Sequence, residues 1–235
     1  MPIIRSGWDL DIKIEDVLFA QGADAAVLSR RSPRLIEIAD RAIADAYALI
    51  SPSVVFDEIQ VEDIQKEQVI LKGGFVLTGS LFKELFNNAR SVIVAICTIG
   101  DALEGKVSKT AIDDITYSYA LDSTGSVAID QLADLAYHHF EAQKEIQGWK
   151  TSIAISPGMI GWNLKEGQNQ VFSILASQKH GVKLTDSGLM VPLKSVSMVV
   201  GTGPDVQRHG ISCDYCESKG RCQFQKHNQL AEISP

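Results

Sequence analysis

Ser91-Val92-Ile93-Val94-Ala95-Ile96-Cys97 carries no charge at any position. A continuous apolar run of this kind marks a strand buried on both faces, and so the centre of a sheet. It leads into Thr98-Ile99-Gly100-Asp101, a turn that opens a helix over Ala102–Ser108. Upstream, residues 12–50 read as helical, with Leu35, Ile38, Ala39, Ala42 and Ala46 at helical spacing and Ser51-Pro52 as the stop. Two strands follow, Ser53–Val61 and Gln68–Lys72, closed by Gly73-Gly74, and then a short amphipathic helix over Leu77–Asn88. Downstream, a long helix covers about 112–146, with Ile129, Leu132, Ala133, Ala136 and Phe140 on one face. Thr151–Ile155 reads as a strand ending in Ser156-Pro157-Gly158, Gln168–Gln178 as a helix and Lys194–Val200 as a strand. Strands and helices do not alternate regularly, which favours an α+β fold over a doubly wound sheet.

The chain has 235 residues, enough for a sizeable core, with 45% hydrophobic and 22% charged residues. A net charge of −7 without a long Lys/Arg run argues against nucleic acid or an anionic membrane as partner. No apolar run approaches the roughly 18 residues of a membrane span. Met1-Pro-Ile-Ile-Arg-Ser-Gly-Trp-Asp meets acids where a signal peptide is apolar, so a cytoplasmic protein is expected. There, four cysteines point to metal or redox chemistry before structural disulfides.

Three of those cysteines form one motif, Cys213-Asp-Tyr-Cys216-Glu-Ser-Lys-Gly-Arg-Cys222. A two-residue gap lets two thiolates meet one ion across a tight turn, and Gly220 lets the chain turn back to bring a third. Zinc takes four ligands and a cubane cluster four in all. His227, His209 and Cys97 are the candidates for the fourth, and Cys97, ending the apolar run, reads better as core. The spacing alone leaves iron–sulfur and zinc both open. The tail, 206–235, is therefore expected to be a metal-binding appendage on a domain spanning 1–205, whose first 50 residues or so are helical.

The block Leu184-Thr185-Asp186-Ser187-Gly-Leu-Met190-Val-Pro192-Leu-Lys-Ser195-Val-Ser197 resembles the activation (reactivation) domain of cobalamin-dependent methionine synthase. Thr98-Ile-Gly100, Leu121-Asp-Ser-Thr-Gly125-Ser126 and Ser156-Pro157-Gly158 resemble further pieces of that family in the same order, and the N-terminal part resembles its stand-alone bacterial members. The resemblance implies a twisted antiparallel sheet with flanking helices, S-adenosylmethionine in a shallow groove, and a cobalamin-bearing partner. It implies a role in reductive activation, from cobalt(II) through cobalt(I) to methylcobalamin. Each ~59 mV of shortfall in a one-electron reduction costs a factor of about ten, and irreversible methyl transfer drains the cobalt(I) so formed. The resemblance also supplies candidate cofactor-binding residues: Asp134 on the long helix, Ser156, Gly158, Met159 and Trp162. Two positions depart from the family: Ala154 stands where an Arg is expected, and Met159 where a Tyr is expected.

Two readings stay open at several of these positions. Asp130, Asp134 and His138, at i, i+4 and i+8, make either a polar site or a solvated helix face. Trp162 could lie against an adenine or corrin face, or in the core. Lys194 could meet an anion or only water. No Ser–His–Asp set, P-loop or G-x-G-x-x-G is present. Joined to the cysteine motif, the resemblance favours an activator of a corrinoid methyltransferase with its own iron–sulfur cluster. The rival is a zinc-stapled module that binds S-adenosylmethionine or a corrinoid protein without redox activity.

Overall fold

A computed structural model describes residues 1–175 and 181–222. The apolar run at Ser91 is the hub of the sheet. Its strand, β5 (Ser91–Thr98), pairs antiparallel with β2 (Ser53–Ile64) on one side and β9 (Ser195–Gly203) on the other. Beyond β2 lie β3 (Gln68–Leu71) and β4 (Phe75–Thr78), and beyond β9 lies β6 (Lys150–Thr151). A first strand, β1 (Ile3–Ser6), pairs with the first four residues of β2, Ser53 to Phe56. Every pairing is antiparallel, and a small separate hairpin joins β7 (Lys183–Leu184) to β8 (Met190–Val191). The α+β expectation holds, as a curled antiparallel sheet with helices around it.

Alternate side chains of β5 enter two different cores. Ile93, Ala95 and Cys97 face a cluster built with α1 (Ile14–Ala20), α3 (Pro33–Tyr47) and α6 (Ile115–Ile146). Val92, Val94 and Ile96 face a second cluster with β3, α4 (Phe82–Leu85) and α7 (Leu164–Leu175). The first core is lined with Ala39, Ala42 and Ala46 of α3, all fully buried, whose small side chains let α3 approach closely. Two shorter helices complete the layer, α2 (Ala25–Arg31), capped by the Asp24 carboxylate, and α5 (Ala102–Thr110).

The structure corrects the sequence reading at four places. The helix expected over Leu77–Asn88 is confined to Phe82–Leu85, because Phe75–Thr78 pairs with β3 instead. The strand expected over Thr151–Ile155 shrinks to Lys150–Thr151 with a lone bridge from Ile155 to Val199. The helix expected from Gln168 begins earlier, at Leu164. Strands β1, β7 and β8 were not anticipated.

Candidate functional site

Helix α6 supplies one wall. Asp114 caps it by accepting the Tyr117 amide at 3.0 Å. Leu121, Ala128, Leu132, Ala136 and Phe140 are fully buried against the sheet, which forces the opposite stripe outward. That stripe carries Asp122, Ser126, Asp130, Asp134 and His138. Lys194, at the entrance to β9, lies against its first part, with Nζ 2.9 Å from Asp122 Oδ1 and 2.8 Å from Ser126 Oγ. Asp130 is exposed, yet the protein around it partly strips water from its carboxyl. Desolvation first, and the neighbouring Asp134 charge second, push its pKa up to about 6, against the pull of Lys194. The far end of the stripe meets Arg208: its Nη1 is 3.6 Å from Glu141 Oε1, and its guanidinium carbon lies 5.6 Å from the centre of the Tyr137 ring.

The Pro157-Gly158 loop forms a second element. Gly158 is exposed with φ +93°, and its amide donates to the Trp162 carbonyl at 2.9 Å. Ser156 is half-buried; its amide donates to Met159 Sδ at 3.4 Å and its carbonyl accepts from the Met159 amide at 3.1 Å. Trp162 is 4% exposed, packed edge-on against Phe82 with 5.0 Å between ring centres, and its Nε1 donates to Gln170 Oε1 at 3.2 Å. The cavity beneath the loop, lined by Phe82, Met159 and Trp162, has a volume of about 10 Å³. Its size leaves no room for a ligand on that side, so Trp162 supports the loop from the core. Ala154 faces the α6 core, half-buried.

The cysteine segment packs onto this loop. Ser212–Tyr215 forms a 3₁₀ turn, with Cys213 and Cys216 half-buried on it. The Lys219 amide donates to the Cys216 carbonyl and the Cys222 amide to the Ser218 carbonyl, each at 3.0 Å, so the chain doubles back and returns Cys222. Among the described residues, no three His, Cys, Asp or Glu side chains lie where they could share a metal ion. His227 lies outside the described residues. Cys97 is fully buried and its thiol is pushed up to about 12 by burial, the state of an inert core residue. Among the contacts that fix the segment, the Ile160 amide donates to the Tyr215 carbonyl at 3.0 Å and the Ser212 hydroxyl to the Ala154 carbonyl at 2.8 Å.

Ser212, Tyr215 and Arg208 escaped the sequence reading. A backbone acceptor has no side-chain signature, and an arginine between a strand and a cysteine motif looks like any solvated cation. Two larger open clefts, of about 490 Å³ along α7 and about 600 Å³ beside Trp149, include no residue of the acidic stripe or the Pro157-Gly158 loop.

No family model matches the sequence, and no curated protein matches it. The structure is similar to a crystal structure of the MetH reactivation domain bound to AdoHcy, with a TM-score of 0.64 at 15% identity. The match covers 98% of this chain and 89% of that one. The chain therefore has the fold of a methionine synthase reactivation domain.

Proposed function

We propose that this chain is an accessory protein for the reductive activation of a corrinoid-dependent methyltransferase. In this reading it binds S-adenosylmethionine between α6 and the Pro157-Gly158 loop and docks a corrinoid protein over that surface. The observation that carries it is the fold match along nearly the whole chain to a domain solved with AdoHcy, which is S-adenosylmethionine less its methyl group. Asp134 takes the ligand's ammonium or a ribose hydroxyl, and Ser156, Gly158 and Met159 shape the loop above it, with Trp162 holding that loop in place from behind.

The tail, 206–235, is read as a redox appendage in a reducing, cytoplasmic setting. Cys213, Cys216 and Cys222, with His227 as the candidate fourth ligand, would hold an iron–sulfur cluster. A cluster there would supply single electrons at low potential. The bonds from Ser212 to Ala154 and from Ile160 to Tyr215 support this reading, because they tie the cysteine segment to the stretch that carries the Pro157-Gly158 loop. The balance is simple. One electron takes the partner's cobalt(II) to cobalt(I). Methyl transfer from S-adenosylmethionine to cobalt(I) would leave S-adenosylhomocysteine, and a separate low-potential one-electron donor would have to replace the electron that the cluster supplied.

Purification without oxygen, followed by an absorption spectrum and iron and sulfide analysis, tests the redox part. A brown protein with iron and sulfide in equal amounts is expected. A colourless sample with stoichiometric zinc would overturn the relay and make the tail a staple on a binding module.

A further inference from the structure

S-Adenosylmethionine ends in an α-amino acid, with an ammonium and a carboxylate on one carbon. The proposed function above, on which this inference rests, gives the ammonium an acid on α6 but leaves the carboxylate without a partner. Ala154, which ends the short stretch before the Pro157-Gly158 loop, carries no charge. A carboxylate held in a groove needs a cation, and a guanidinium serves best because it binds both oxygens at once.

Among the described residues, Lys194 and Arg208 border the acidic stripe. Lys194 is tied to Asp122 at 2.9 Å and Ser126 at 2.8 Å. Those residues lie twelve and eight positions before Asp134, about 18 and 12 Å back along the helix. Arg208 lies on the near side. At 3.6 residues per turn, Tyr137 and Glu141 fall within about 60° of Asp134 around the axis, and Tyr137 is only about 4.5 Å further along it. The guanidinium of Arg208 lies over that ring at 5.6 Å. The platform is firm, since Tyr137 is 8% exposed and its hydroxyl donates to the Ser152 carbonyl at 2.9 Å. The contact with Glu141 is a long one, 3.6 Å between side chains 43% and 27% exposed, and so a weak ion pair in itself. Four residues on, Ser212 is bonded to the Ala154 carbonyl. The segment from Arg208 to Ser212 thus runs from α6 to the strand end that opens the Pro157-Gly158 loop.

We infer that Arg208 is the residue that binds the carboxylate of the ligand's amino-acid end, opposite Asp134. The charge comes from the segment after β9 and not from the strand before the loop.

Calorimetric titration with S-adenosylmethionine and with decarboxylated S-adenosylmethionine tests this in wild type, Arg208→Gln and Arg208→Lys. Wild type should bind the decarboxylated compound about 10- to 100-fold more weakly, the ordinary worth of a charged hydrogen-bonded pair. Arg208→Gln should lose a similar factor for S-adenosylmethionine and nothing for the decarboxylated compound, and Arg208→Lys should fall between. Equal loss for both compounds in Arg208→Gln, or no loss for either, would overturn the assignment while leaving the proposed function standing. A wild type that binds neither compound would overturn both.

Discussion

The Ile160 amide donates to the Tyr215 carbonyl at 3.0 Å. Through that bond the loop after Pro157 and the turn bearing Cys213 and Cys216 form one packed unit, and neither can shift far alone. The Ser212 hydroxyl adds the second tie, to Ala154. Removing it with Ser212→Ala should cost about 1 kcal/mol in urea unfolding, the net value of one such bond. A cost near zero would mean that the Ser212 hydroxyl adds nothing to the tie that the Ile160–Tyr215 bond makes.

The cysteines should divide into two chemical classes. After anaerobic metal removal, Cys213, Cys216 and Cys222 should react with a thiol reagent in the native protein. Cys97, fully buried and with its thiol near pKa 12, should react only after denaturation. Mass mapping of the labelled peptides checks it, and native-state labelling of Cys97 would contradict the buried assignment.

Gly167 on α7 sits under the Trp162 indole. A Cβ there would lie 2.6 Å from Trp162 Nε1 and 2.9 Å from Pro157 Cβ, closer than atoms tolerate. In an open helix Gly→Ala gains up to about 1 kcal/mol. Here the clash should reverse the sign, with Gly167→Ala losing about 1–3 kcal/mol and the tryptophan fluorescence shifting red as the indole is displaced.

Lys144 and Glu58 should respond unequally to truncation. The Lys144 side chain is 5% exposed and its Nζ lies 2.6 and 2.7 Å from the two oxygens of Glu58, whose side chain is 39% exposed. Ser91 also donates to Glu58 and is bonded to buried Thr202. Glu58→Ala leaves a buried ammonium without its counter-charge, which costs about 3 kcal/mol or more. Lys144→Met leaves a carboxylate that water can reach and should cost about 1–2 kcal/mol. Chemical denaturation of the pair distinguishes the two, and equal costs would mean water reaches Lys144 as well.

Asp130 sets a pH dependence whose sign is fixed. The folded chain holds its proton more tightly than the unfolded chain, about 6 against 3.8, so ionisation weakens folding. The penalty is absent below the unfolded value, grows between the two, and is complete above about 6. Asp130→Asn should therefore raise the melting temperature at pH 7.5 and have no such effect at pH 3.5. A gain at both values would assign the effect to something other than this carboxyl.

The central strand was legible because burial on both faces leaves one reading of Ser91–Cys97. The buried face of α6 was legible for the same reason, since Leu132, Ala136 and Phe140 repeat at helical spacing. The failures have physical causes. Strand β1 has every residue exposed and no alternation to detect, and β4 is set by its partner β3 and not by its own pattern. At the site, Asp130, Asp134 and His138 could be placed on one stripe from spacing alone. The tie between Ile160 and Tyr215 could not, because it joins two backbone groups 55 positions apart. Trp162 was open between ligand face and core, and only the packing of Phe82 against it places it inside.

Strand β9 runs the same way as α6, with Lys194 at its entrance reaching Asp122 and Arg208 beyond its exit reaching Glu141. Nineteen helical residues separate those two anchor points, about 28 Å, with Asp130 and Asp134 between them. The outer surface of α6 thus carries a cation–acid pair towards each end, Lys194 with Asp122 and Arg208 with Glu141, and the carboxylates of Asp130 and Asp134 between them. The run of β9 sets how far apart those two pairs stand, so the sheet fixes the interval between the charged ends of the helix face.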